Sequence, residues 1–95
     1  MNVAANVEGK HILITGGGSG IGAASARVLS ARGATVGIAD LNEGNAKTLA
    51  EEIVAAGGKA YAVAVDVTES AQVKAMFDTA LSHNDKIDVI INNAG

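Results

Sequence analysis

The chain has 95 residues, a formal net charge of −3 and no cysteine, which excludes disulfides and thiolate metal sites and argues against a nucleic-acid surface. Hydrophobic residues make up 48% of the sequence and charged residues 18%, a balance typical of one small globular domain. No apolar run approaches the roughly 18 residues of a membrane helix, and the first residues lack the basic start of a signal peptide. We therefore expect a single domain over 1–95, located in the cytoplasm and without affinity for membranes.

The first part of the chain alternates strand and helix patterns. The sequence predicts a buried strand over 10–15, a helix over 20–33 and a second strand over 34–40. Gly33 is suited to end the helix, because glycine readily adopts the left-handed conformation that follows many helices.

A second helix is predicted after Asn42, whose side chain can cap the first turn. Glu43 suits that turn because its charge opposes the helix dipole. Gly57 and Gly58 end the helix. Its apolar residues recur at the spacing of one helix face: Ala46, Leu49, Ala50, Ile53 and Val54.

The last part of the chain continues the alternation with a third strand over 60–67 and a fourth over 86–95. Between them the sequence predicts a third helix, capped by Thr68 and followed by a polar turn over 82–85. The apolar stripe of this helix consists of Val73, Met76, Phe77, Ala80 and Leu81.

Strands that alternate with helices indicate an α/β fold with a parallel sheet. Right-handed crossovers place the first two helices on one face of the sheet and the third helix on the other. The prediction is a Rossmann-type doubly wound parallel sheet, truncated to β-α-β-α-β-α-β with strand order 3-2-1-4. Ligands bind such sheets at the carboxyl ends of the strands, where the winding direction changes.

The glycine-rich turn "GGGSGIG" follows the first strand and therefore lies at that point of the sheet. Glycines before a helix N-terminus expose backbone N–H groups that can bind a phosphate. A nucleoside-triphosphate P-loop is discarded, because Gly17 and Gly22 have its spacing but Ala23 stands in place of the lysine. A methyltransferase-type glycine pattern is disfavoured, because Ile14 stands where an acidic residue is expected.

Two interpretations of the turn remain. The dinucleotide fingerprint Gly-x-Gly-x-x-Ala fits Gly18, Gly20 and Ala23, and Asp40 ends the second strand at the position of a ribose-binding acid. The alternative is a turn that only connects a strand to a helix. The strand, the helix and the acid together favour the dinucleotide site.

Three segments in order resemble the short-chain dehydrogenase/reductase family. They are "TGGGSGIG" from Thr15 to Gly22, "DV" at Asp66 and Val67, and "NNAG" over 92–95. The resemblance covers the chain from about Gly9 onward and implies a nicotinamide dinucleotide cofactor. It also implies that Gly16, Gly20 and Gly22 shape the turn while the backbone near Ser19 and Ile21 meets the pyrophosphate.

The resemblance assigns the remaining contacts to the ends of the third and fourth strands. Asp66 would accept a hydrogen bond from the adenine amino group, and the backbone of Val67 would face the ring. Asn92, Ala94 and Gly95 would line the ribose side, and the two asparagines would help tie the central strands together.

The choice between NAD and NADP depends on Asp40 in this interpretation. A carboxylate can accept hydrogen bonds from both ribose hydroxyls, but it repels a 2′-phosphate. Gly17 and Leu41 occupy the two positions where an arginine or lysine would be expected to bind that phosphate. We therefore expect NAD, with NADP less favoured.

The histidines and the tyrosine suggest no catalytic or metal site. His11 and His83 share no spacing with a second metal ligand, and we expect each to be exposed or fully hydrogen-bonded. Tyr61 has Val65 four residues later, not the lysine of a Tyr-x-x-x-Lys motif, so we expect a sheet residue.

The family resemblance places catalysis on a Ser and a Tyr-x-x-x-Lys motif, joined by an Asn on a later helix, none of which matches a position in this sequence. We therefore predict no catalytic residue here and no activity for the chain alone. The implied longer parent would interconvert a secondary alcohol and a ketone by hydride transfer with NAD.

Two alternatives remain open, a natural nucleotide-binding module and an assembly unit. The apolar edge of the fourth strand favours self-association.

Overall fold

The protein was analysed as a computed structural model, which describes residues 7–93. Strands and helices alternate through this part of the chain. The elements are β1 (His11–Thr15), α1 (Gly20–Ala31), β2 (Thr35–Asp40), α2 (Glu43–Ala55), β3 (Lys59–Ala64), α3 (Ser70–His83) and β4 (Val89–Asn92). Every predicted element is present, although β3 and β4 are shorter than predicted. None of the helices in residues 7–93 has the length and apolar character needed to cross a membrane.

The four strands form one parallel sheet in the order β3-β2-β1-β4, as predicted. Ile14 of β1 is paired with Ile38 of β2 on one side and with Ile91 of β4 on the other. β1 is fully buried along its length, because it has neighbours on both sides and helices on both faces. The doubly wound fold class is therefore confirmed.

Each face of the sheet carries its own hydrophobic cluster. Ile12 and Ile38 point towards α1 and α2, while Leu13 and Ala39 point towards α3. The predicted stripes of α2 and α3 are largely confirmed, but their last members are not buried. Val54 is 54% exposed and Leu81 is 44% exposed, because the sheet covers less of each helix than the apolar spacing indicates.

The helix ends agree with the sequence at α1 and α2 and differ at α3. Gly33 follows α1 with φ of +94°, and the side chain of Asn42 accepts a hydrogen bond from the N–H of Asn45. The prediction that Thr68 caps α3 is wrong. The N-cap residue is Glu69, without a side-chain bond, because the Thr68 hydroxyl donates to Asp66 instead.

A buried polar contact joins the amino end of β1 to the middle of β3. Nε2 of His11 lies 2.6 Å from the hydroxyl oxygen of Tyr61, and Nδ1 lies 2.9 Å from the carbonyl oxygen of Lys86. His11 is thus a hydrogen-bonded core residue and Tyr61 is a sheet residue, as predicted. The ring of His83 stacks on Tyr61 at a centroid distance of 4.0 Å.

Candidate functional site

The glycine turn between β1 and α1 has a backbone that only glycine can follow without strain. Gly16 and Gly20 have φ of +65° and +57°, in the left-handed region. At Gly22 a Cβ would overlap the carbonyl oxygen of Gly16, so the first turn of α1 packs directly against the loop. The loop therefore stays close to the helix N-terminus.

The N-terminus of α1 is open and carries no compensating negative charge. Ser19 is the N-cap residue, its side chain makes no capping hydrogen bond, and the first turn of this described helix contains no acidic residue. Ser19, Gly20 and Ile21 are exposed. Free N–H groups and the positive end of the helix dipole make this turn suitable for an anionic group such as a phosphate.

Asp40 brings a carboxylate to the same turn. Its Oδ2 accepts a hydrogen bond of 2.8 Å from the N–H of Gly18, and its Oδ1 accepts one of 2.9 Å from the N–H of Asn42. The side chain is therefore fixed between the glycine turn and the start of α2. A polyol such as a ribose, placed beside the turn, would meet an oriented acceptor.

Asp66 follows the end of β3 and lines the same cleft as Asp40. Its Oδ1 accepts hydrogen bonds from the N–H and the hydroxyl of Thr68, at 2.9 and 2.6 Å. These bonds lower the pKa of Asp66, so its carboxylate is charged at neutral pH. The backbone N–H of Asp66 donates to Oε1 of Gln72 at 2.9 Å.

The end of β4 is tied to the end of β1. The hydroxyl of Thr15 donates to Oδ1 of Asn92 at 2.9 Å, and the side-chain amide of Asn93 donates to the carbonyl oxygen of Gly16 at 3.2 Å. These contacts fit the expectation that the two asparagines connect the central strands. They also fix the carbonyl of Gly16 against which Gly22 packs.

A cleft of about 360 Å³ lies at the carboxyl edge of the sheet. Its walls are mostly apolar, and Asp40 and Asp66 both line it. The cleft is lined by Gly16, Ala39, Asp40, Leu41, Val65 and residues 66–68.

Comparison with known proteins decides the family. The family model for short chain dehydrogenase matches residues 10–95. The chain belongs to the short-chain dehydrogenase family.

Two solved structures and one sequence illustrate the relationship. The 7alpha-hydroxysteroid dehydrogenase of Escherichia coli K12 is 38% identical over 89 residues, which are 94% of this chain and 35% of that protein. A hydroxysteroid dehydrogenase structure from Escherichia coli has a TM-score of 0.93 at 36% identity, and the match covers 100% of this chain and 40% of that protein's chain. The 3-ketoacyl-(acyl-carrier-protein) reductase of Brucella melitensis, complexed with NADH, has a TM-score of 0.83 at 41% identity. This match covers 90% of this chain and 34% of the reductase chain. This chain thus spans about a third of the length of the short-chain dehydrogenases that it matches.

Five of the predicted site residues of this short-chain dehydrogenase chain line the cleft at the carboxyl edge of the sheet. They are Gly16, Asp40, Leu41, Asp66 and Val67. The other predicted site residues that the structure describes do not line this cleft. Gly18 bonds Asp40, Ser19, Gly20 and Ile21 form the exposed start of α1, Gly22 is buried behind the turn, and Asn92 bonds Thr15. Ala94 and Gly95 lie outside the described residues.

Sequence analysis missed the residues that hold Asp66 in place. Gln72 bonds the backbone of Asp66 from the first turn of α3, and no sequence pattern links these two residues. The Thr68 hydroxyl was assigned to the helix cap, although an Asp two residues earlier is an equally local acceptor. The separation of two residues between Asp66 and Thr68 is the sequence signal that could have indicated this contact.

Proposed function

We propose that this chain binds NAD across the carboxyl edge of its sheet and is the cofactor-binding domain, over 1–95, of an oxidoreductase. The observation that carries the proposal is the Asp40 carboxylate, anchored on the N–H of Gly18 beside the open N-terminus of α1. The Brucella melitensis reductase, solved with NADH, supports the same cofactor class.

The groups at this site fit two parts of a dinucleotide, the charged pyrophosphate and the hydroxylated ribose. The exposed turn of Ser19, Gly20 and Ile21 offers N–H donors to the pyrophosphate, and the absence of a side chain at Gly22 lets the start of α1 pack directly on this turn. Asp40 accepts hydrogen bonds from the hydroxyls of the adenosine ribose. The donor set and the acceptor thus match a phosphate next to a sugar.

The outer parts of the cofactor are assigned to the ends of β3 and β4. Asp66 accepts a hydrogen bond from the adenine amino group, and Leu41 and Val67 provide apolar contacts for the ring. Asn92, with Ala94 and Gly95 beyond the described residues, lines the nicotinamide ribose. When bound, the nicotinamide accepts or donates a hydride, and the parent enzyme interconverts a secondary alcohol and a ketone.

The proposal favours NAD over NADP. A 2′-phosphate would bring negative charge against Asp40, and neither Gly17 nor the exposed Leu41 supplies a cation to neutralise it. Calorimetric titration of the 95-residue chain should show binding of NAD and binding of NADP weaker by at least about tenfold. Equal affinity for both cofactors contradicts the assignment of Asp40.

The variant Asp40→Ala should weaken NAD binding and reduce the preference for NAD. Asp78→Ala is the matched control, since Asp78 is an exposed acid on α3 and pairs only with Lys74 among the described residues. A control that lowers NAD affinity as much as Asp40→Ala would show a general charge effect.

We also propose that the chain alone binds the cofactor without turnover. Its one tyrosine, Tyr61, is buried within β3, and its hydroxyl is hydrogen-bonded to His11. Absorbance of NADH at a fixed wavelength should stay constant when the chain is mixed with NADH and ketones. Steady NADH consumption, above a chain-free blank, would contradict this.

A further inference from the structure

Asp66 is held at two points by residues that follow it in the chain. Its backbone N–H donates to Oε1 of Gln72 at 2.9 Å. Its Oδ1 accepts two hydrogen bonds from Thr68, one of 2.9 Å from the N–H and one of 2.6 Å from the hydroxyl. The backbone and one carboxylate oxygen are therefore both fixed, which determines where the other oxygen lies.

The second oxygen, Oδ2, has no hydrogen-bond partner within residues 7–93. Asp66 is half-buried and lines the cleft beside the apolar side chains of Leu41, Val65 and Val67. An ionised carboxylate has no proton to donate, so this edge of the cleft presents only an acceptor.

We propose that Thr68 and Gln72 are positioning residues, which fix Asp66 as an acceptor and so make the cleft select a 6-aminopurine dinucleotide over its 6-oxopurine analogue. The inference rests on the proposed function, because it concerns the same cleft. The amino group of adenine donates a hydrogen bond to Oδ2. The 6-oxo group of hypoxanthine is an acceptor, and it would leave two acceptors facing each other with no proton between them.

The test compares the 95-residue chain and its variants in calorimetric titrations with NAD and with nicotinamide hypoxanthine dinucleotide. Wild type should prefer NAD by at least about tenfold, as expected when a desolvated charged acceptor loses its donor. Thr68→Val removes the hydroxyl donor and should lower this ratio at least about threefold. Thr68→Ser keeps the hydroxyl and should keep the ratio.

The variant Asp66→Asn should reverse the preference. The two donors of Thr68 keep the amide oxygen on their side, so the amide NH₂ faces the cleft and donates to the 6-oxo group. Gln72→Ala frees the Asp66 backbone and should lower the ratio in the same direction as Thr68→Val.

The pH dependence of NAD binding separates positioning from a general structural effect. Thr68 lowers the pKa of Asp66, so Thr68→Val should raise that pKa and move the acid loss of NAD binding to higher pH. Thr68→Ser should bind NAD with the wild-type pH profile.

Three results are decisive against the inference. Equal wild-type affinity for both dinucleotides overturns it while leaving the proposed function intact. The inference is also overturned if a folded Thr68→Val chain has the same affinity ratio and the same pH profile as wild type. If far-ultraviolet circular dichroism shows that Thr68→Val is unfolded, the affinity ratio of the two dinucleotides is measured in Gln72→Ala and Asp66→Asn instead. A wild-type ratio in both of these variants then overturns the inference. Failure of wild type to bind either dinucleotide overturns the proposed function and this inference with it.

Discussion

At the scale of single residues, the buried contact between His11 and Tyr61 links two strands that are not neighbours in the sheet. Nδ1 of His11 faces the carbonyl oxygen of Lys86, which can only accept, so Nδ1 carries the proton. Nε2 therefore accepts from the Tyr61 hydroxyl. Burial raises the pKa of Tyr61 to about 12, which keeps that hydroxyl protonated throughout the neutral range.

The variant Tyr61→Phe should destabilise the chain by about 1–3 kcal/mol, because it leaves Nε2 of a fully buried histidine without a donor. Urea denaturation followed by circular dichroism measures the loss. His83→Ala is the control, since it removes a ring stacked on the same tyrosine at an exposed position and should cost less. Wild-type stability of Tyr61→Phe would show that the hydrogen bond contributes nothing.

A pair of glycine variants tests whether the close packing of α1 on the glycine turn is needed for cofactor binding. Gly22→Ala places a Cβ against the carbonyl of Gly16 and should reduce NAD affinity at least about tenfold by displacing the turn. Gly44→Ala, in α2, meets only Oδ1 of Asn42 at 3.4 Å and should stabilise the chain by up to about 1 kcal/mol. NAD titration and urea denaturation of both variants provide the measurements. Unchanged NAD affinity in Gly22→Ala would contradict the role of the turn.

The capping contact of Asn42 was predictable from the sequence, whereas the contact between His11 and Tyr61 was not. The cap of α2 by Asn42 follows from local chemistry and is confirmed. The bond between His11 and Tyr61 joins residues 50 positions apart, and it depends on strand order and register together. Neither residue carries a pattern that identifies the other as its partner.

At the scale of elements, α3 shows where apolar periodicity loses accuracy. The stripe correctly selected Met76 and Ala80 as the residues facing the sheet, and Val73 and Phe77 pack at the edge of the same cluster. Leu81 belongs to the same pattern but is exposed, because it lies near the end of the helix. Periodicity gives the direction of a helix face, whereas the area of sheet beneath it sets how much is buried.

The connection between α3 and β4 is held by Asp88, which should make stability depend on acid. Its Oδ2 accepts a hydrogen bond of 2.8 Å from the N–H of His11, and this bond is the main reason that the pKa of Asp88 is lowered. A carboxyl with a lowered folded-state pKa stabilises the protein above its unfolded pKa, and that stabilisation is lost as pH falls through the folded value.

The prediction is a fall in the urea midpoint of wild type below a pH of about 4, where an unfolded aspartate begins to take up protons. Asp88→Asn should be less stable than wild type at neutral pH and should show a shallower fall in acid. Parallel curves for the two proteins would assign the acid sensitivity to other carboxyl groups.

At the scale of the whole molecule, an apolar surface is left uncovered on α1 and β4. The apolar patch, defined here by Ile21, Ala24, Val28, Leu29 and Ile91, lies where α1 meets β4. Ile21 is 78% exposed and Val28 is 53% exposed. A contiguous apolar patch beside an open strand edge promotes association.

Self-association of the 95-residue chain through the apolar patch therefore stays our prediction. Sedimentation velocity should show a weight-average mass that rises with concentration. The double variant Ile21→Lys and Val28→Lys should reduce this rise. Val54→Lys is the matched control, since it adds the same charge at an exposed apolar residue on α2, outside the patch. A wild-type chain that is monomeric at all concentrations would contradict the prediction.

The topology of the whole molecule was predictable because few alternatives are compatible with right-handed crossovers. Strand order 3-2-1-4 was predicted from the alternation of elements together with this handedness, and the structure confirms it. The shape of the cleft was not predictable in this way, since it depends on side chains such as Gln72 and Thr68 that fix Asp66 from outside the motif. The sequence therefore predicted the edge of the sheet at which this cleft lies, but not how Asp66 is held there.

The position of β1 between β2 and β4 has a consequence for the order of assembly. β1 leaves the ribosome before its neighbours, but one of its two edges is paired only after β4 has been made, as the bond between His11 and Asp88 spans 77 residues. During synthesis the future centre of the sheet is thus an open edge formed by Ile12, Leu13 and Ile14. Slower translation between β1 and β4 would lengthen the period in which this edge can pair with another nascent chain.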